Sequence, residues 1–133
     1  MSEVQAGQSI GELSVPVDRA RLVRYAGASG DFNPIHWDDR FATSVGLPDV
    51  IAHGMWTMGA AAELVARWIG DAGRITSYGV RFSKPLPVPY EGGATLTVTG
   101  EVKSVDGDTA TIAITATNGE ESVLTRALAT VRL

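Results

Sequence analysis

A carboxylate and an imidazole, Asp31 and His36, stand five residues apart in the stretch Gly30-Asp31-Phe32-Asn33-Pro34-Ile35-His36. Glycine and Asn-Pro disfavour a helix, and a residue before proline is pushed towards extended geometry, so both side chains fall on a short, stiff loop. Such a loop can hold two groups in one arrangement, and prepaid positioning accounts for much of catalysis. Histidine, with an unperturbed pKa of ~6.5, both takes and gives a proton near neutrality. A nearby carboxylate can orient it or share a water with it. These two residue types therefore point to proton transfer. A second element, Ala52-His53-Gly54-Met55, immediately precedes a long helical pattern. Backbone N–H groups at a helix start lack intrahelical acceptors and carry the positive end of the dipole. Glycine there lets a substrate carbonyl come close, and one such donor to a developing oxyanion is worth on the order of 10²–10³ in rate.

The elements that must position these groups are legible as patterns. Pro16-Val17-Asp18 reads as a helix entry with Asp18 as N-cap, and Leu22, Tyr25, Ala26 and Ser29 form the apolar side of that helix. A short helical turn is expected from Asp38 to near Gly46. The clearest helix spans Met55 to Ile69, where Met55, Met58, Gly59, Ala62, Val65, Ala66 and Ile69 make one stripe. Its small residues, Gly59 to Ala62, suit close approach to a sheet, and Gly70 supplies the stop. Strands follow: Thr76 to Lys84, the alternating run Ala94 to Val102, a strand through Ile112 and Ile114, and Leu124 to Leu133. Pro85, Pro87 and Pro89 break the ladder, while Asp106-Gly107 and Asn118-Gly119 are hairpin turns. A mixed first half and an all-strand second half imply an α+β class. The expected architecture is one domain over residues 1–133, a long helix wrapped by an antiparallel meander: the hot-dog arrangement.

The totals narrow the function. A chain of 133 residues with 44% apolar and 20% charged residues suits one soluble globular domain. The stretch Met55 to Ile69 is too short, and too interrupted by Glu63 and Arg67, to span a bilayer. The N-terminal residues lack the basic start and apolar core of a signal peptide. With no cysteine there is no disulfide, thiolate nucleophile or Cys-ligated metal, and the cytoplasm is the expected compartment. A net charge of −4 argues against nucleic acid as a partner.

The string Tyr25-x4-Gly30-Asp31-x-Asn33-Pro34-Ile35-His36, followed by Ala42, resembles the signature of the MaoC-like (R)-specific hydratases, or hydratase 2. His53-Gly54-Met55 matches the family's next block. Trp37-Asp38-Asp39, the run Ala52 to Gly59, and Gly70-Asp71 resemble more closely the catalytic B subunit of heterodimeric (3R)-hydroxyacyl-ACP dehydratases of fatty-acid elongation. The resemblance covers most of the chain. It implies that Asp31 and His36 are the catalytic dyad, that the Gly54 N–H binds the thioester oxygen, and that Asn33 helps hold the water or hydroxyl. The implied reaction is reversible dehydration of a (3R)-3-hydroxyacyl thioester, carried on ACP or CoA, to the trans-2-enoyl thioester. It needs no cofactor or metal. A second hot-dog subunit is the implied partner, a heterodimer being favoured and a homodimer possible.

Plainer readings stand beside these. Asn33 before proline is equally a turn former. His53 reads first as a hydrogen-bonded structural histidine. His36, Asp38, Asp39 and His53 have no established metal-ligand spacing, and Asp38-Asp39 is most simply a helix cap. Trp56, Trp68 and the methionines suit core or interface. Arg19, Arg21 and Arg24 suit a solvated helix face, with an acidic carrier protein as the sharper alternative. Two rival functions remain: a hot-dog thioesterase using Glu63 on the central helix, and a non-catalytic acyl-binding subunit.

Overall fold

The computed structural model describes residues 3–133. Five strands form a single antiparallel sheet: β1 (Ser9–Val17), β2 (Ile75–Phe82), β3 (Ala94–Asp106), β4 (Thr109–Asn118) and β5 (Glu121–Arg132), in the order β1-β3-β4-β5-β2. Three helices, α1 (Arg19–Ser29), α2 (Asp39–Ser44) and α3 (Gly54–Ile69), accompany it. The expected α+β hot-dog arrangement is present, with α3 packed against the sheet. Only β3-β4-β5 is a meander, however; β1 and β2 add to its two edges. No helix among the described residues is long and apolar enough to cross a membrane.

Local chemistry explains the helix boundaries. Asp18 and Asp38 cap α1 and α2 by accepting from the Arg21 and Phe41 N–H groups, which satisfies donors that a helix start leaves orphaned. The core lies between one face of the sheet, including Leu96, Val98, Val102, Ile112, Ala129 and Val131, and one face of α3. A Cβ on Gly100 of β3 would lie 2.7 Å from the Ile10 side chain, so glycine there makes room for Ile10 of β1 in the core.

Two expectations need correction. The face of α3 that is buried carries Trp56, Thr57, Ala61, Leu64, Val65 and Ile69, rotated about one residue, or roughly 100°, from the anticipated stripe. Val65 and Ile69 belong to both faces, but Met55 is 61% exposed and Gly59 is exposed. The helix is apolar on most sides, so period alone could not fix its rotation. Ser29 is also exposed, although Leu22 and Ala26 of the same helix are buried.

Two loop segments form a strap over the site. Ala52 donates to the Leu86 carbonyl and Val88 to that of Val50, both at 2.9 Å. Arg19 secures it from α1: Nε donates to the Val88 carbonyl at 2.6 Å, and the guanidinium pairs with Asp49 at 2.7 Å. Arg19 is thus turned inward, unlike the solvated arginine face expected of α1. Tyr78 of β2 donates its hydroxyl to the Met58 carbonyl of α3, and burial pushes that phenol up to about 12. Arg19→Ala is expected to cost about 1–3 kcal/mol through the partners left unpaired, whereas Arg24→Ala on the exposed side should stay within about 0.5 kcal/mol. Denaturant midpoints measure both, and equal effects would contradict the clamp.

Candidate active site

The loop from Asp31 to Trp37 is built from its own side chains. Asp31 Oδ1 accepts from the Asn33 N–H at 3.1 Å, and Asn33 Oδ1 accepts from the Ile35 N–H at 3.2 Å. Pro34 to His36 then form one 3₁₀ turn, and Trp37 Nε1 donates back to the Phe32 carbonyl at 2.9 Å. The strap holds this loop from beneath. Ile51 N–H donates to the Ile35 carbonyl at 3.1 Å, and the Ile51 carbonyl lies 2.7 Å from His36 Nδ1.

A carbonyl only accepts, so His36 must carry hydrogen on Nδ1. In the neutral ring the Nε2 lone pair is then free, and it faces Asp31 Oδ2 at 3.8 Å. The two groups differ in environment: the His36 side chain is 8% exposed and that of Asp31 51%. One is an oriented imidazole at the wall, the other a carboxylate open to solvent.

His53 completes the cluster. Its ring stacks on His36 at 3.8 Å between centroids, with planes 19° apart, and Tyr25 lies tilted against it at 4.8 Å. His53 Nε2 donates to the main-chain carbonyl of Asp31 at 3.1 Å. Burial pulls its pKa below the ordinary 6.5, with His36 adding to the effect and the hydrogen bond and carboxylate of Asp31 opposing it. Ligand atoms of Asp31, His36 and His53 lie within 4.8 Å of one another. Yet the two imidazoles are stacked almost parallel, and a metal must lie near the plane of each ring it binds. One ion cannot satisfy both rings in this arrangement. Asp38 is taken up as the cap of α2.

Gly54 is the first residue of α3, so its N–H has no intrahelical acceptor. It borders two adjoining cavities. The first, about 410 Å³, is lined by His36 and mainly apolar residues including Ile35, Ile51, Leu86 and Val123. The second, about 360 Å³, is lined by Tyr25, Ser29, Asp31, His53 and Met55. Phe82, at the end of β2, belongs to both. Asp31, His36 and Gly54 are therefore brought together as anticipated, whereas Asn33 serves its loop and lies outside the lining of both cavities. Phe82 and Ile51 were missed. The run Thr76 to Lys84 showed a strand but not that its end would cover Gly54, and a main-chain carbonyl leaves no mark in a sequence.

A family model described as MaoC like domain matches residues 3–123. The chain belongs to the MaoC-like family. It is 43% identical over 74 residues to 3-hydroxyacyl-thioester dehydratase X of Mycobacterium tuberculosis (strain ATCC 25618 / H37Rv), covering 56% of this chain and 25% of that protein. It spans a quarter or less of the length of the first curated relatives it matches. Among solved structures, a MaoC-like dehydratase superposes with a TM-score of 0.96 at 41% identity, over 98% of this chain and 41% of that one. An (R)-hydratase from A. caviae involved in PHA biosynthesis superposes at 0.86 with 26% identity, over 100% of this chain and 99% of the other. A chain from the ChsH1-ChsH2 complex of Mycobacterium tuberculosis superposes at a TM-score of 0.85 with 25% identity, over 100% of this chain and 100% of that one.

Glu63, the carboxylate that the thioesterase reading needs, lines neither of the two cavities. Glu63 pairs with Arg67 at 3.0 Å and lines a separate groove beside Leu13 and Arg21.

Two predictions follow from the packing. A Cβ at position 54 would lie 3.1 Å from the Phe82 ring, so Gly54→Ala should lower turnover. Phe82→Ala in the same chain should restore part of it, and a double variant no better than Gly54→Ala would contradict the contact. The second concerns acid. His53 has a lowered folded-state pKa, so unfolding takes up protons as the pH falls below 6.5, and the neutral ring's contribution to stability is lost in that direction. The stability gap between wild type and His53→Gln should therefore narrow from pH 7.5 to 5.5 in urea titrations; a constant gap would contradict it.

Proposed function

We propose that this chain is a catalytic hot-dog domain that interconverts (3R)-3-hydroxyacyl and trans-2-enoyl thioesters of fatty-acid metabolism, carried on ACP or CoA. The observation that carries the reading is the facing of His36 Nε2, with Nδ1 held by Ile51, and the Asp31 carboxylate at 3.8 Å, beside the free N–H of Gly54. The homologues named dehydratases and (R)-hydratases support it.

In this reading the acyl chain occupies the apolar cavity and the thioester oxygen rests on the Gly54 N–H. The dyad removes the C2 proton, and the electrons move onto the thioester oxygen, where the helix dipole and Gly54 N–H stabilise them. They return to form the C2–C3 double bond as the C3–O bond breaks. The dyad protonates the departing hydroxyl, which leaves as water. One proton is taken and one is given, so the pair ends as it began, and hydration is the reverse. Asp31 and His36 act as a coupled unit. Asn33 orients Asp31 through its N–H, and its side chain shapes the loop by accepting from the Ile35 N–H.

The partner is a second hot-dog subunit, with a heterodimer favoured. Phe32, Trp37, Met55 and Phe82, each more than half exposed around the dyad, support a covering surface, as does the two-chain assembly among the relatives. Residues 1–133 act as one domain, in the cytoplasm. The test follows absorbance of crotonyl-CoA and a longer enoyl-CoA, alone and with candidate partner chains and carrier-linked substrates. Wild type should form the (3R)-hydroxy product, and Asp31→Asn and His36→Ala should each lower turnover by roughly 10²–10⁴. Binding without turnover under every condition would replace this reading with an acyl-binding subunit.

A further inference from the structure

His53 is the one titratable residue of the cluster to which the reaction assigns no step. It is 1% exposed, so it is not open to solvent or to an incoming acyl chain. Four contacts nevertheless make it the common neighbour of the machinery. One face lies on His36 at 3.8 Å, Nε2 holds the Asp31 main chain at 3.1 Å, Tyr25 packs against the ring, and the next residue is Gly54. As the residue that enters α3 it makes no side-chain cap, so its ring is not spent on the helix. Its Nδ1 is buried without a hydrogen-bond partner among the described residues. A buried acceptor left unpaired costs stability, and the bond to Asp31 together with the stack on His36 offsets that cost.

We infer that His53 is a positioning residue that sets the separation of Asp31 and His36, by binding the backbone of one and stacking on the ring of the other. The inference deepens the proposed dehydratase reading and rests on it for its kinetic consequences. The two halves of the dyad come from one loop, but different forces hold them. His36 is tied to the strap through Ile51, whereas among the described residues the Asp31 carboxylate receives only the Asn33 N–H. Without His53 the backbone at Asp31 would lose its long-range tie, and His36 would lose the surface that prevents it from tilting about its Nδ1 bond. The groups facing the His53 ring are Asp31, His36 and Tyr25. A proton on Nδ1 would find no acceptor and would place a second positive charge against a protonated His36. Remaining neutral leaves the mobile proton to the dyad.

The test compares His53→Gln, whose amide can still donate to the Asp31 carbonyl, with His53→Phe, which keeps the ring and loses the donor. With substrate as above, His53→Phe should lower kcat by about 10²-fold, the scale of a misplacement near 1 Å, with KM within about twofold. His53→Gln should recover about tenfold of that loss. Unchanged kcat in both folded variants, or a rise in KM alone, would overturn the inference. Imidazole NMR gives a readout independent of activity, because the chain has two histidines and each variant removes one set of signals. Wild type should show His53 neutral with hydrogen on Nε2, and His36 with hydrogen on Nδ1. The His36 signals should broaden in His53→Gln, which lacks the stacked ring, and stay sharp in His53→Phe. A His53 protonated at neutral pH, or His36 signals unaffected in both variants, would overturn the positioning role whether or not the domain proves to be a dehydratase.

Discussion

The main chain of Ile51 is the contact on which the site depends. Its N–H holds the Ile35 carbonyl and its carbonyl holds His36 Nδ1, so one peptide segment fixes both the turn and the ring. That second bond decides the tautomer, and with it which nitrogen looks towards Asp31. Ile51 has this authority because its neighbours are themselves tied down, Val50 to Val88 and Ala52 to Leu86, with Arg19 binding the Val88 carbonyl from α1. The chain of constraint runs from a helix N-terminus, through two loops, to a ring nitrogen.

Burial is distributed unevenly around that contact. His36 and His53 lie inside, while Asp31 is half open to solvent. The stacked rings share one low-dielectric pocket that disfavours protonating both. The same segment that stacks on His36 leads into α3, so the His36 ring and the free N–H of Gly54 are set in register by two consecutive residues, His53 and Gly54.

The sheet shows where alternation stops being readable. β1 escaped expectation because a register shift between Ser9 and Gly11 changes the phase of its inward residues, from Ile10 to Leu13, Val15 and Val17. Two short stretches of opposite phase cancel as a period-2 signal. In β5 both Val123 and Leu124 are buried, close to Arg126, which adopts a positive φ of 49°. Such irregularities re-aim side chains, and Val123 is turned into the apolar cavity. By contrast, β3 alternates cleanly from Leu96 to Val102 and was legible throughout that run.

The sequence by itself determined the features that depend on local covalent chemistry. Asp18 as a cap, the glycine stops at Gly30 and Gly70, the two hairpin turns, and the stiff loop carrying Asp31 and His36 all follow from preferences within a few residues. The motif from Gly30 to His36 and the one from His53 to Met55 also marked the family, because residue type and spacing survive in one dimension. Only the tertiary structure decided the rotation of α3, the inward turn of Arg19, the stacking of His53 on His36 and the cover of Phe82 over Gly54. Each joins residues distant in sequence through packing or a main-chain carbonyl. A helix apolar on most sides has no preferred face until a sheet selects one, and a carbonyl acquires a partner only when folding brings it there.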